Sequence, residues 1–161
     1  FAGLTVMENV IVALGVTNYP RFFASISRYR TRETLTEARE ILEKTGLADL
    51  AEQKAENLPL GFKKRLEIAR ALALHPDLIL LDEPAGGLRE EEMTQLVALT
   101  RALNSEGMSV LVIEHNMSVV MRLCQRIVVL DHGTLIAEGS PEAIQENPKV
   151  IEAYLGSEED V

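Results

Sequence analysis

The spacing of apolar residues changes character near the middle of the chain. In the first half it is helical: Val6, Val10 and Leu14 share one face of "TVMENVIVAL", and Thr5 with Glu8 forms the Ser/Thr-x-x-Glu pattern that opens a helix. "GVTNYPRF" breaks this rhythm. A second helix is predicted across "TRETLTEAREILEKTG", with Leu35, Ala38 and Leu42 as its stripe and Gly46 as its stop. "LADLAEQKAENLPLG" reads as a short helical turn followed by a loop. "FKKRLEIARALALH" then predicts a long helix after Gly61 that Pro76 ends.

Beyond Pro76, short apolar runs alternate with amphipathic ones. "LILL", "SVLVIE" and "RIVVL" predict strands, separated by helices over "REEEMTQLVALTRALNSEG" and "NMSVVMRLCQ". "HGT" turns into a further strand, "LIAEG". "SPEAIQENPKVIEAYLG" gives two short helices, with Ser140 capping the first and Pro141 in its first turn. Continuous apolar strands separated by helices imply an α/β fold with a mostly parallel sheet, covered on both faces. Ligand chemistry in such a sheet gathers at the carboxyl ends of the strands.

Composition narrows the class. The 161 residues are 47% hydrophobic and carry a net charge of −9, enough apolar material for a core and the wrong sign for a nucleic-acid or anionic-membrane surface. No apolar run approaches the ~18 residues of a membrane span, and no secretion signal is readable. The single cysteine, Cys124, rules out an intrachain disulfide or a cysteine metal cluster and suits a core position. A cytoplasmic protein fits these features. A start at Phe1 rather than methionine suggests processing or truncation.

The candidate chemistry lies where strands end. Asp82 and Glu83 follow "LILL" directly. They are either strand-end charges opening a turn, or a carboxylate that holds hydrated Mg²⁺ beside one that orients water for attack on phosphate. His115 follows the next strand, where an imidazole could reach the same crevice and hydrogen-bond a terminal phosphate, although a lone histidine is more often structural. His75 reads as a helix-end residue and His132 as part of a turn. Gly61 opens a helix whose first amides could meet an anion. Lys63, Lys64 and Arg65 crowd that first turn, either as a solvated basic face or facing an anion brought by a partner. Gly86 and Gly87 permit a tight turn.

Taken together, these motifs resemble the ATPase subunit of ABC transporters. "LILLDEP" resembles the family's Walker B motif, which makes Asp82 the magnesium-associated acid and Glu83 the catalytic base. "AGGLRE", with Gly87 and Arg89, sits where its D-loop follows, and His115 in "VIEHN" matches the switch histidine. "LPLGFKKRLEIARAL" resembles the signature segment and its helix. "GLTVMENV" and "NPKVIEAYLG" look closest to the subunits that energise branched-chain amino acid importers.

The resemblance implies a helical subdomain over residues 1–76. The C-terminal half of a P-loop NTPase core, of the ABC type, would follow over 77–161. Three departures stand out. No G-x-x-x-x-G-K-[ST] occurs among the ten glycines, and the glutamine that the family places before Phe1 is missing. The family's serine-glycine-glycine-glutamine signature reads Pro59-Leu60-Gly61-Phe62, and Arg89 replaces the usual aspartate or asparagine. Without the phosphate-loop strand, the sheet should keep unpaired edges and exposed apolar surface.

By resemblance, the intact subunit binds ATP and Mg²⁺, dimerises head to tail with a second ATPase subunit, and drives transmembrane permease subunits from the inner face of the membrane. It would neither insert into the bilayer nor bind nucleic acid. The chain alone would then be inactive. The alternative is a non-catalytic interaction module that supplies signature and coupling surfaces to a complete partner.

Overall fold

A computed structural model describes residues 1–18 and 31–155. Two compact units divide the chain, 1–113 and 114–161.

In the first unit, α1 (Val6–Asn18) opens with both halves of the predicted capping box: Thr5 N–H donates to Glu8 Oε2 at 2.9 Å, and Glu8 N–H donates to Thr5 Oγ1 at 3.1 Å. The helix does not break at Gly15 as the sequence suggested; it runs on to Asn18, and the rest of "GVTNYPRF" lies outside the described residues. Glycine costs a helix about 1 kcal/mol relative to alanine, less than is gained by burying Val6, Val10, Ile11 and Leu14 completely.

The second helix, α2 (Arg32–Lys44), is capped by Thr31, whose Oγ1 accepts from Thr34 N–H at 3.2 Å, and it stops at Gly46 with φ 67°. Two short 3₁₀ turns, Ala48–Leu50 and Ala55–Asn57, lead into α3 (Leu60–Leu72). This helix starts one residue before Gly61 rather than after it, because Pro59 already has the extended ψ of 157° that suits a residue flanking a helix. Ala38, Leu42, Leu47, Leu66 and Ala69 join the buried face of α1 in one core.

Strand β1 (Leu78–Asp82), helix α4 (Glu90–Ser105) and strand β2 (Ser109–Ile113) complete this unit. The strands pair in parallel with Leu80 opposite Leu111 and Asp82 opposite Ile113, the parallel ladder that the sequence predicted. Their burial departs from the two-sided cover inferred from "LILL". Ile79 is 4% exposed, whereas Leu78 (51%), Leu80 (67%), Leu111 (52%) and Ile113 (60%) leave one face bare. A strand alternates its side chains, so a sheet with helices on one side only buries every second residue. The expected exposed apolar surface is therefore present, and among the described residues β1 and β2 pair only with each other.

In the second unit, α5 (Met117–Leu123) is capped by Asn116, whose Oδ1 accepts from Val119 N–H at 3.3 Å. Strands β3 (Ile127–Asp131) and β4 (Thr134–Gly139) form an antiparallel hairpin. Its two-residue turn places His132 (φ 44°) and Gly133 (φ 78°) in the left-handed region, as a type I′ hairpin requires. Helices α6 (Pro141–Gln145), capped by Ser140, and α7 (Pro148–Leu155) pack Ile144 and Val150 against Val120, Ile127 and Ala137. No helix among the described residues is long and apolar enough to cross a membrane.

Candidate functional site

The two acids stand where the strand runs out. Asp82 is the last residue of β1 and is exposed. Glu83 continues the ladder by one more bond: its N–H donates to Ile113 O at 2.9 Å. The same residue has φ 43°, a left-handed backbone that costs a non-glycine residue about 1–2 kcal/mol. Such strain persists only where the surroundings hold it, and here they do. Glu83 O accepts from Gly86 N–H at 3.1 Å and from Lys64 Nζ at 3.4 Å. Leu88 N–H donates to Ala85 O, and Gly87, at φ 76°, completes the reversal.

This donor set suits magnesium in a specific way. Mg²⁺ takes one or two carboxylates from a protein and fills its octahedron with phosphate oxygens and water. The exposed Asp82 carboxylate meets that requirement, and no group of three or more His, Cys, Asp or Glu side chains able to cage a metal exists among the described residues. For ATP the fit is partial: the acids and a helix start are present, but the glycine-rich phosphate cradle is not in the sequence.

The helix start is α3. Pro59 flanks it without a side-chain cap, so its first amides have no capping side chain, and Lys63 and Lys64 follow at its fourth and fifth positions. Gly61 is buried: a methyl on it would lie 2.6 Å from Glu92 Oε1. Phe62, in the place of the signature glutamine, is half-buried against the helical core with the Arg65 guanidinium 5.3 Å over its ring. Of the three basic residues weighed from sequence, two are engaged within the unit: Lys64 with Glu83 O, and Arg65 with Gln95 Oε1 as well as Phe62. Arg89 is the N-cap of α4, and its N–H donates to Glu92 Oε2 at 2.9 Å. Glu92 was not singled out in the sequence; its only signal there is an acid at the third position of a helix.

Pro59, Leu60, Gly61, Phe62, Asp82, Glu83, Gly87 and Arg89 all belong to the first unit, and α3 touches the acid loop through Lys64 and through Leu60, whose Cδ2 would lie 2.9 Å from a methyl on Gly87. His115 belongs to the second unit, two residues after β2 ends. It is exposed; its N–H and that of Asn116 donate to Glu114 Oε2 at 3.2 Å, and its carbonyl accepts from Tyr154 OH at 3.4 Å. His75 lies beyond the end of α3 at φ 50°, its Nε2 3.0 Å from Glu37 Oε1. His132 occupies the hairpin turn, as predicted. Cys124 packs at the second unit's core, where burial pushes its thiol pKa up.

A parallel strand tipped by adjacent acids, preceded by a helical segment with a glycine at its helix start, is the pattern of an ATP-binding cassette. The ABC transporter family model matches residues 1–86, and the model described as "Branched-chain amino acid ATP-binding cassette transporter" matches 134–160. The chain belongs to the ABC transporter ATP-binding family.

Within it, the chain is 40% identical to the high-affinity branched-chain amino acid transport ATP-binding protein LivG of Escherichia coli K12, over 97% of this chain and 64% of LivG. It is equally similar to BraF of Pseudomonas aeruginosa, with the same coverage of both chains. An ATP-binding cassette of an ABC transporter, solved in its ADP conformation, superposes with a TM-score of 0.81 at 29% identity, over 97% of this chain and 64% of that one. A nucleotide-free cassette gives 0.80 at 29% identity, with the same coverage. The chain thus spans about two thirds of the length of these relatives.

Proposed function

We propose that this chain is the signature-bearing and acid-bearing part of an ATP-hydrolysing subunit that powers import of branched-chain amino acids or a related solute. The observation that carries the reading is the Asp82–Glu83 pair at the tip of β1, with Glu83 held in a left-handed backbone by bonds to its amide and carbonyl. Similarity to LivG and BraF supports the choice of transport class.

The roles follow from chemistry. Glu83, exposed and fixed in backbone, orients a water and takes its proton. Asp82 would hold Mg²⁺, which when bound supplies the positive charge that phosphoryl transfer requires. The turn Pro59-Leu60-Gly61-Phe62 offers helix-start amides to the phosphate oxygens of ATP held by the second subunit, and His115, by its match to the switch histidine, hydrogen-bonds a terminal phosphate. Gly87 and Arg89 form the loop that meets a second ATPase subunit. In this reading residues 1–76 act as the helical subdomain that faces transmembrane permease subunits. Residues 77–161 act as part of the nucleotide-binding core, at the cytoplasmic face of the membrane.

The chain alone should hydrolyse ATP negligibly, because phosphoryl transfer rests on electrostatic stabilisation that a phosphate loop supplies. The test is turnover by the chain fused behind a family segment that carries that loop, with Glu83→Gln as control. Hydrolysis lost in the control supports the reading. A folded fusion that binds Mg-ATP but turns over no faster than its control points instead to a non-catalytic module, the role favoured by Phe62 and Arg89.

A further inference from the structure

Four contacts join the first turns of α3 to the segment after the acids, and they follow one helix face. Leu60 reaches Gly87, Gly61 meets Glu92, Lys64 bonds the carbonyl of Glu83, and Arg65 bonds Gln95. Positions 60, 61, 64 and 65 recur at helical spacing, so one stripe of α3 reads the loop from its first residue into the next helix. Glu92 is the only one of these residues whose side chain serves both segments at once. Oε2 accepts from Arg89 N–H at 2.9 Å, fixing where the loop ends, while Oε1 lies where only a glycine leaves room on α3.

We propose that Glu92 is a positioning residue: its carboxylate locks the 59–62 turn and the 83–89 loop into one piece, so that neither shifts without the other. The proposal rests on the proposed function, in which Gly61 and Glu83 of one chain serve the two ATP sites of a head-to-tail dimer, but its physical content is separable from that reading. If Glu92 were only a helix cap, its loss would be felt at Arg89 and Met93, whose N–H donates to Arg89 O. If it is a lock, its loss must also reach α3, where Lys63 N–H closes the first turn on Pro59 O at 3.0 Å. The reverse holds as well. A methyl at Gly61 would displace the Glu92 carboxylate without altering the sequence of α4.

The experiment is amide hydrogen exchange on the 161-residue chain, comparing wild type with Glu92→Ala, Glu92→Gln and Gly61→Ala. Glu92→Ala is expected to speed exchange at Arg89 and at Lys63 to Leu66 together. Glu92→Gln, which keeps the acceptor and the length, restores both, and Gly61→Ala speeds exchange at Arg89 from across the contact. Faster exchange confined to residues 89–93 in Glu92→Ala overturns the lock, and so does an unchanged Arg89 in Gly61→Ala.

In the fusion that tests the proposed function, Glu92→Ala should lower kcat about tenfold, the factor that loss of one hydrogen bond allows, with KM for ATP unchanged and activity restored by glutamine. An equal rise in KM would overturn the positioning role. Coupled exchange in a fusion without turnover supports the lock and counts against the proposed function.

Discussion

Adjacent residues of one strand should differ sharply in what they contribute. Ile79 and Leu80 are neighbours in β1, one 4% exposed and the other 67%. Truncating a buried isoleucine to alanine removes its transfer free energy and leaves a cavity, at a cost of about 2–5 kcal/mol. Full burial of a leucine is worth about 1.5–3 kcal/mol, so a side chain only one third buried has about 0.5–1 kcal/mol to lose. Urea unfolding of the 161-residue chain, followed by far-UV circular dichroism, should place Ile79→Ala well below Leu80→Ala in midpoint, at similar slope.

The same pair reports on what covers the bare face. Leu78, Leu80, Leu111 and Ile113 are each at least half exposed, so covering all four would contribute about 3–6 kcal/mol. In the fusion that carries a phosphate-loop segment, the cost of Leu80→Ala should therefore rise into the range of Ile79→Ala. Equal costs for the two substitutions in the chain alone would refute the reasoning, because they would mean the Leu80 face is already covered. A cost of Leu80→Ala that stays below 1 kcal/mol in a folded fusion would refute its second half.

Other consequences are open to direct measurement. Glu83→Gly should leave unfolding free energy unchanged or raise it by up to about 1 kcal/mol, since relief of the φ 43° backbone offsets the entropy that glycine loses, while abolishing turnover in the fusion. Thr31→Ala should cost about 1 kcal/mol by urea titration, through loss of the bond to Thr34 N–H at the start of α2. Hydrogen bonding from Ser140 holds Glu142 below its ordinary pKa. That bond therefore stabilises the folded chain at pH above the ordinary glutamate value and is lost as pH falls through the depressed one. Ser140→Ala should move the Glu142 titration, followed by NMR, upward toward the ordinary value.

Local chemistry made much of this fold legible beforehand. Thr5 with Glu8, Gly46 and Ser140 are short-range signals, and each sits at the helix boundary it suggested. The tips of β1 and β2 were legible for the same reason, because a run of apolar residues ending in acids marks where a strand meets solvent. What burial decides was not legible. "LILL" and "VLVI" are apolar at every position, so nothing in them separates Ile79 from Leu80; only the presence of helices on one side does. Gly15 looked like a break because its local cost is visible and the packing of α1 is not. At the site, the placement of Asp82 and Glu83 followed from their position after an apolar run, whereas the backbone of Glu83 and the reach of Glu92 to Gly61 depend on contacts between segments about 30 residues apart.

The bond from Glu83 N–H to Ile113 O constrains where the chain tolerates insertions. Within the crossover from Glu83 to Ser109, the exposed turn at Ser105 to Gly107 is the place where length can vary, because the loop and the start of α4 are held against α3. Within Ser109–Ile113 the length is not free. One added residue there would shift the register by one, exchange the inward and outward sets of β2, and leave the amide of Glu83 facing a different carbonyl. Over evolutionary time, the exposed turn beyond α4 can lengthen and diverge, while the five-residue strand whose backbone anchors an acid keeps its length.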